Sequence, residues 1–179
     1  MVSVGRGYIW AMRALYAVLM ILILFLQLLP LETTPRGWAG PDFLLCLTLV
    51  WVARRPELAP FWLVATLFLL ADLLLQRPPG LWAALALIAT EVLRARAHDL
   101  RETVFAFEWL MVSAILLCFY VALMICWAVM VPYDISNSLL ALQLLLTILL
   151  YPALAGLSGM LFRVSNPVAG QSDVLGRKV

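Results

Sequence analysis

Six apolar segments, separated by short breaks rich in proline, glycine and arginine, constrain what this chain can fold into. They cover residues 8–30, 41–53, 58–75, 81–93, 103–131 and 139–162. The 179-residue chain is 65% hydrophobic and 12% charged, whereas soluble domains are close to half apolar and a quarter charged. A soluble fold of this size could not bury so much apolar surface. The sequence therefore predicts an integral membrane protein.

Continuous apolar runs predict helices, because a spanning segment in lipid must satisfy its own backbone hydrogen bonds. The expected fold class is all-α: a polytopic bundle of six transmembrane helices forming one domain over residues 1–162, with a disordered cytoplasmic tail at 163–179. The second and fourth segments are shorter than the about 20 residues of a usual span. A re-entrant hairpin over residues 41–75 is the alternative, but it places Arg54 and Arg55 at membrane depth, at about 2.5–3.5 kcal/mol each.

The positions of the basic residues predict the orientation. If the N-terminus is cytoplasmic, ten of the twelve Lys and Arg residues fall on the cytoplasmic side, and Arg36 and Arg77 fall outside. Cytoplasmic loops carry such an excess, so both termini are expected in the cytoplasm. The first segment could be mistaken for a signal peptide. Because it is long and lacks a clear cleavage site, we interpret it as a retained helix.

The sequence predicts no enzyme activity, no metal site and no cofactor site. Its single histidine, His98, falls in the polar break at 94–102, where solvation explains it. The run 156–159 around Ser158 is similar to an element of intramembrane serine proteases of the rhomboid type. Such a serine needs a neighbouring base, and His98 is expected outside the bilayer. A close-packing face of Ala155 and Gly159 is the stronger interpretation.

Two aspartates are candidate functional residues. Asp42 follows Pro41 at the start of the second segment, where the helix dipole favours a carboxylate. Asp72 lies within an unbroken apolar run. Ionisable groups are rare inside transmembrane segments and usually have a function there, so Asp72 is a candidate site residue. The alternative is that Asp72 caps or braces the turn at residues 77–80, and the two roles can coexist.

Two glutamates have simpler expected roles. Glu91 precedes Arg94 by three residues, which predicts an ion pair along one helix. Glu108 lies a turn or two inside the fifth segment, from where it could reach the lipid headgroups.

The order of several short motifs is more specific than any one of them. The motifs are Leu28-Leu29-Pro30, Pro41-Asp42, Arg54-Arg55-Pro56, Ala71-Asp72-Leu73 and a Pro-Pro-Gly-Leu turn at 78–81. Together with the chain length and the predicted topology, this order resembles MreD, the rod shape-determining membrane subunit of the bacterial elongasome. The resemblance covers about residues 8–162.

The resemblance implies a non-enzymatic scaffold in the bacterial cytoplasmic (inner) membrane. Such a scaffold helps couple the MreB cytoskeleton and MreC to peptidoglycan synthesis by RodA and a class B penicillin-binding transpeptidase, and so maintains rod shape. The implied fold is similar to the substrate-binding subunits of vitamin transporters. A small-molecule-binding subunit of such a transporter is therefore the alternative function, although the outer loops offer few polar groups for a ligand.

Six residues are the candidates for partner binding or for holding a partner site in shape. Asp42, Asp72, Arg77 and Gly80 are expected at the outer end of the bundle. Arg54 and Arg55 are expected in a basic loop that faces cytoplasmic partners or anionic lipid.

Overall fold

The computed structural model describes residues 6–29, 40–101, 104–130 and 137–162. All regular elements in these ranges are α-helices, so the all-helical prediction is confirmed. The expected tail at 163–179 lies outside the described residues. The six helices are α1 (Arg6–Leu28), α2 (Phe43–Arg54), α3 (Phe61–Leu74), α4 (Leu81–Arg101), α5 (Phe105–Met130) and α6 (Asn137–Phe162).

Helix α4 continues past the end of its apolar segment. The sequence suggested a loop at residues 94–102, but α4 ends at Arg101. Residues 94–101 contain neither proline nor glycine and are mostly arginine, alanine and leucine, which favour helix. The change to polar sequence after Leu93 therefore ends the apolar segment without ending the helix.

Three of the described helices are long and apolar enough to cross a membrane. These stretches are Gly7–Leu28, Phe105–Val129 and Ser138–Met160. Helices α2 and α3 are apolar but have 12 and 14 residues. At a rise of about 1.5 Å per residue they extend about 18 and 21 Å, less than the hydrocarbon thickness of about 30 Å. The bundle thus combines long and short apolar helices.

Helix α2 forms the centre of the bundle. Its ten consecutive residues from Leu44 to Ala53 are all buried, as expected for a helix that is apolar on every side. It packs against α1, α4 and α6, while α3 packs against α1 and α4, and α5 against α4 and α6. The Tyr16 hydroxyl lies 2.8 Å from Thr48 Oγ1, which joins α1 to α2.

The outer faces of the surrounding helices are apolar. Val18 on α1, Leu110 and Val129 on α5, and Met160 on α6 are all exposed, Met160 by 86%. Soluble monomers rarely expose large contiguous apolar surfaces. The exposed side chains therefore indicate that these faces contact lipid.

Candidate functional site

Asp42 begins α2 and connects it to two other helices. Its Oδ1 accepts a hydrogen bond from the Leu45 backbone N–H at 3.0 Å, which is the usual N-cap contact. Its Oδ2 accepts one from Trp82 Nε1 on α4 at 3.2 Å. The Asp42 backbone N–H donates to Thr147 Oγ1 on α6 at 3.0 Å. Asp42 is 2% exposed, so this buried cap also fixes α2 against α4 and α6.

Asp72 connects the end of α3 to the start of α4. Its Oδ2 accepts hydrogen bonds from the backbone N–H groups of Gly80 at 3.0 Å and Ala83 at 3.1 Å. Its backbone carbonyl accepts one from the Arg77 N–H at 3.0 Å, across Gln76 with φ 53°. This is the Schellman pattern that ends many helices. Asp72 is fully buried, and these contacts agree with the bracing interpretation.

The turn between α3 and α4 brings the two aspartate motifs together around Trp82. Gly80 has φ 85°, a left-handed conformation that favours glycine. The Arg77 guanidinium carbon lies 4.1 Å from the centroid of the Trp82 ring, a cation–π contact. The same indole donates to Asp42. Asp42, Arg77 and Gly80 therefore lie at one end of the bundle, as part of one connected group that also includes Asp72.

Trp82 was not among the residues predicted for this group. Its only signal was a tryptophan directly after the Gly80 turn. That signal is weak, because tryptophan is common wherever a membrane helix meets the headgroups.

A cavity of about 580 Å³ lies beside this group. This volume is within the range of small-molecule sites, about 300–1,000 Å³. The described polar residues that line it are Gln27, Asp42, Arg77 and Gln143. Ligand-binding groups were expected on the outer loops, whereas these polar side chains come from helices and from residues next to helix ends.

Arg54, at the opposite end of α2, points into the bundle. Its Nη1 donates to the Ala155 carbonyl oxygen at 2.9 Å, and its Nε lies 3.4 Å from Glu108 Oε1. The Tyr151 hydroxyl donates to the same carboxylate oxygen at 2.8 Å. Glu108 is 2% exposed, so the prediction that it reaches the headgroups was wrong. Of the two arginines expected in a basic loop, only Arg55 lies outside a helix, because Arg54 is the last residue of α2.

The small residues of α6 make room for this arginine. A Cβ atom on Gly159 would lie 3.3 Å from Arg54 Nη1, a tight contact. Ala155, one turn earlier, supplies the carbonyl oxygen that Arg54 binds. The predicted close-packing face therefore accommodates a guanidinium group from α2.

Arg55 lies in the turn between α2 and α3 and is partly exposed. Its Nη1 lies 3.7 Å from Glu57 Oε1. Arg13 on α1 donates to the Glu57 carbonyl oxygen at 3.0 Å. Arg55 is thus the more accessible member of the predicted basic pair.

Arg94 fixes the same turn from α4. Its guanidinium donates to the carbonyl oxygens of Pro56 at 3.2 Å and Ala59 at 2.8 Å. Its Nε lies 3.1 Å from Glu91 Oε1, so the predicted Glu91–Arg94 ion pair is confirmed.

Ser158 is buried within α6, and the side chain of His98 lies outside the described residues. Among the side chains that the structure describes, none is a histidine that could activate Ser158. Comparisons of the chain with protein-family models, with curated proteins and with solved structures gave no match.

Proposed function

We propose that this protein is a non-enzymatic membrane scaffold of the bacterial cell-elongation complex, an MreD-type subunit that helps maintain rod shape. One observation carries the proposal: three of the motifs behind the resemblance to MreD meet in space, namely Pro41-Asp42, Ala71-Asp72-Leu73 and the turn at 78–81. Trp82 contacts both the Asp42 carboxylate, at 3.2 Å, and the Arg77 guanidinium, at 4.1 Å. Asp72 fixes the turn between them through Gly80.

This connected group gives one end of the bundle a defined shape. Its buried carboxylates are hydrogen-bonded to backbone and indole groups of neighbouring helices. They therefore stabilise the shape of this surface but are not themselves exposed on it. Arg77 is the charged member that is partly exposed. On this proposal the helix of a single-span partner such as MreC packs near Arg77. RodA and the class B penicillin-binding transpeptidase share the membrane, and MreB lies on the cytoplasmic side, which Arg55 faces.

The proposed topology has six spans and two cytoplasmic termini in the inner membrane. Short α2 is compatible with it because protein, rather than lipid, surrounds the helix. Its polar ends are also satisfied inside the bundle, at Asp42 by the cap and at Arg54 by Glu108. A buried polar group costs little once it is hydrogen-bonded.

Reporter fusions test this topology. We expect alkaline phosphatase to be inactive when it is inserted at residues 102–103 or fused after residue 179, and active when it is inserted in 31–39. The reason is the excess of arginine on the side of both termini. Activity at 102–103 would contradict the proposed orientation, and equal activity at all three sites would contradict the six-span topology.

Co-purification with MreC tests the scaffold function. We expect Arg77→Ala to lower the amount of co-purified MreC about fivefold, because arginines at interface centres commonly contribute more than about 1 kcal/mol. Arg55→Ala, with the same charge change at the other end of the bundle, serves as the control. Arg77 is preferable to Asp42 or Asp72, whose replacement disturbs helix ends. An unchanged MreC yield would remove Arg77 from the proposed interface, and no MreC with the unsubstituted chain would contradict the function.

The alternative function, a small-molecule-binding subunit of a vitamin-type transporter, is favoured by the cavity of about 580 Å³. Gln27, Gln143 and Arg77 offer donors and acceptors to a ligand there. A stoichiometric small molecule in the purified protein, lost in Gln143→Leu, would support this alternative over the scaffold.

A further inference from the structure

A groove of about 470 Å³ runs between α4 and α5. Its lining extends from Leu85 to Arg96 on α4 and from Met111 to Ala122 on α5. Each stretch advances eleven residues, or about 16 Å at 1.5 Å per residue. This length is about half of the 30 Å hydrocarbon core. The groove therefore matches the thickness of one leaflet.

The groove is charged at one end and apolar along the rest of its described lining. Small side chains at Ala114, Cys118 and Ala122 on α5 leave it open. Arg96 is its charged residue, three positions beyond Leu93, where the apolar part of α4 ends. Arg96 is exposed, and no hydrogen bond or ion pair joins it to a side chain that the structure describes; the side chains at 98–99 and 101–103 lie outside that description. An exposed guanidinium thus lies just past the apolar part of α4, at the level expected for the headgroups.

We propose that this groove binds one acyl chain of an anionic phospholipid, with the lipid phosphate paired to Arg96. The guanidinium fork matches phosphate oxygens in charge and geometry. A spanning helix of a partner protein fits less well, because it needs about 20 residues or 30 Å, twice the length of the groove. The inference requires that the bundle lies in a bilayer. It does not depend on the orientation of the bundle or on the proposed role in the elongasome.

Native mass spectrometry of the full chain tests the inference. The protein is taken from vesicles of equal phosphatidylglycerol and phosphatidylethanolamine into mild detergent, and retained lipid is counted. We expect one retained phosphatidylglycerol, reduced about tenfold by Arg96→Gln, because the variant loses the charge-assisted hydrogen bond to the lipid phosphate. Arg96→Lys should keep part of the retention. Ala114→Phe, at an exposed position, should fill the groove and remove the lipid.

Arg13→Gln is the matched control, since it removes a partly exposed charge on α1, outside the groove, and should leave retention unchanged. Equal retention of both lipids by the unsubstituted protein would overturn the proposal. An equal effect of Arg96→Gln and Arg13→Gln would also overturn it. Retention that survives both Ala114→Phe and Cys118→Phe would do the same. Loss of a co-purifying membrane protein in these variants, with lipid unchanged, would assign the groove to a partner helix instead.

Discussion

Replacing Glu108 with alanine is expected to destabilise the helix bundle by about 3–5 kcal/mol, the usual cost of removing one partner from a buried ion pair. The variant leaves the Arg54 guanidinium without its carboxylate and takes the acceptor from the Tyr151 hydroxyl. Unfolding in mixed micelles with increasing dodecyl sulfate measures the loss. We expect a large shift of the midpoint, because three helices meet at this carboxylate.

Two further variants separate the buried pair from an ordinary surface charge. Glu91→Ala removes a partner of Arg94 that is 46% exposed, and exposed pairs contribute about 1 kcal/mol at most. The triple replacement Arg54→Met, Glu108→Leu and Tyr151→Phe should recover most of the stability, since apolar residues of similar volume often replace buried pairs without loss and Tyr151→Phe removes the hydroxyl whose hydrogen bond Glu108 accepts. Equal effects of Glu108→Ala and Glu91→Ala would contradict the buried role of Glu108.

Replacing Asp72 with alanine is expected to destabilise the bundle by about 2–4 kcal/mol. The change removes the acceptor of the Gly80 and Ala83 N–H groups. Loss of a helix cap costs about 0.5–2 kcal/mol, and a buried donor left without an acceptor costs about 1–3 kcal/mol. The same titration measures the effect.

The amide variant identifies which property of Asp72 matters. Asp72→Asn keeps a carbonyl oxygen in place of Oδ2, so we expect a loss below about 1 kcal/mol, near the typical effect of a point substitution. Thr66→Ala is the control in the same helix, because the Thr66 hydroxyl bonds carbonyl oxygens of its own helix. If Asp72→Asn is as damaging as Asp72→Ala, the negative charge and not the cap stabilises the turn.

The helices were predictable because each apolar run is bounded by residues that end helices. The ends of α1, α2, α3, α5 and α6 fall within a few residues of the segments in the sequence. Helix α4 was the exception, since only a change in polarity marks Leu93 and polarity does not break a helix. The roles of Asp42 at a helix start and of Asp72 in bracing a turn could also be predicted, because both depend on residues that are near in the chain.

The partners of the buried polar residues could not be predicted from local sequence. Glu108 and Tyr151 are 43 residues apart, and Asp42 and Thr147 are 105 apart. No spacing rule links such pairs, because their contact depends on how α2, α5 and α6 pack. Arg54 shows the same limit, since an arginine before a proline turn looks exposed until the glycine of α6 that makes room for it is known.

The position of α2 determines when the protein can finish assembling during synthesis. Helix α2 leaves the ribosome before α4 and α6, yet Trp82 and Thr147 on those later helices supply the contacts of Asp42. A nascent chain that ends before α6 leaves the Asp42 N–H without its threonine. The early half of the chain therefore carries a short helix whose first N–H lacks its acceptor until α6 has been synthesised and has packed against α2.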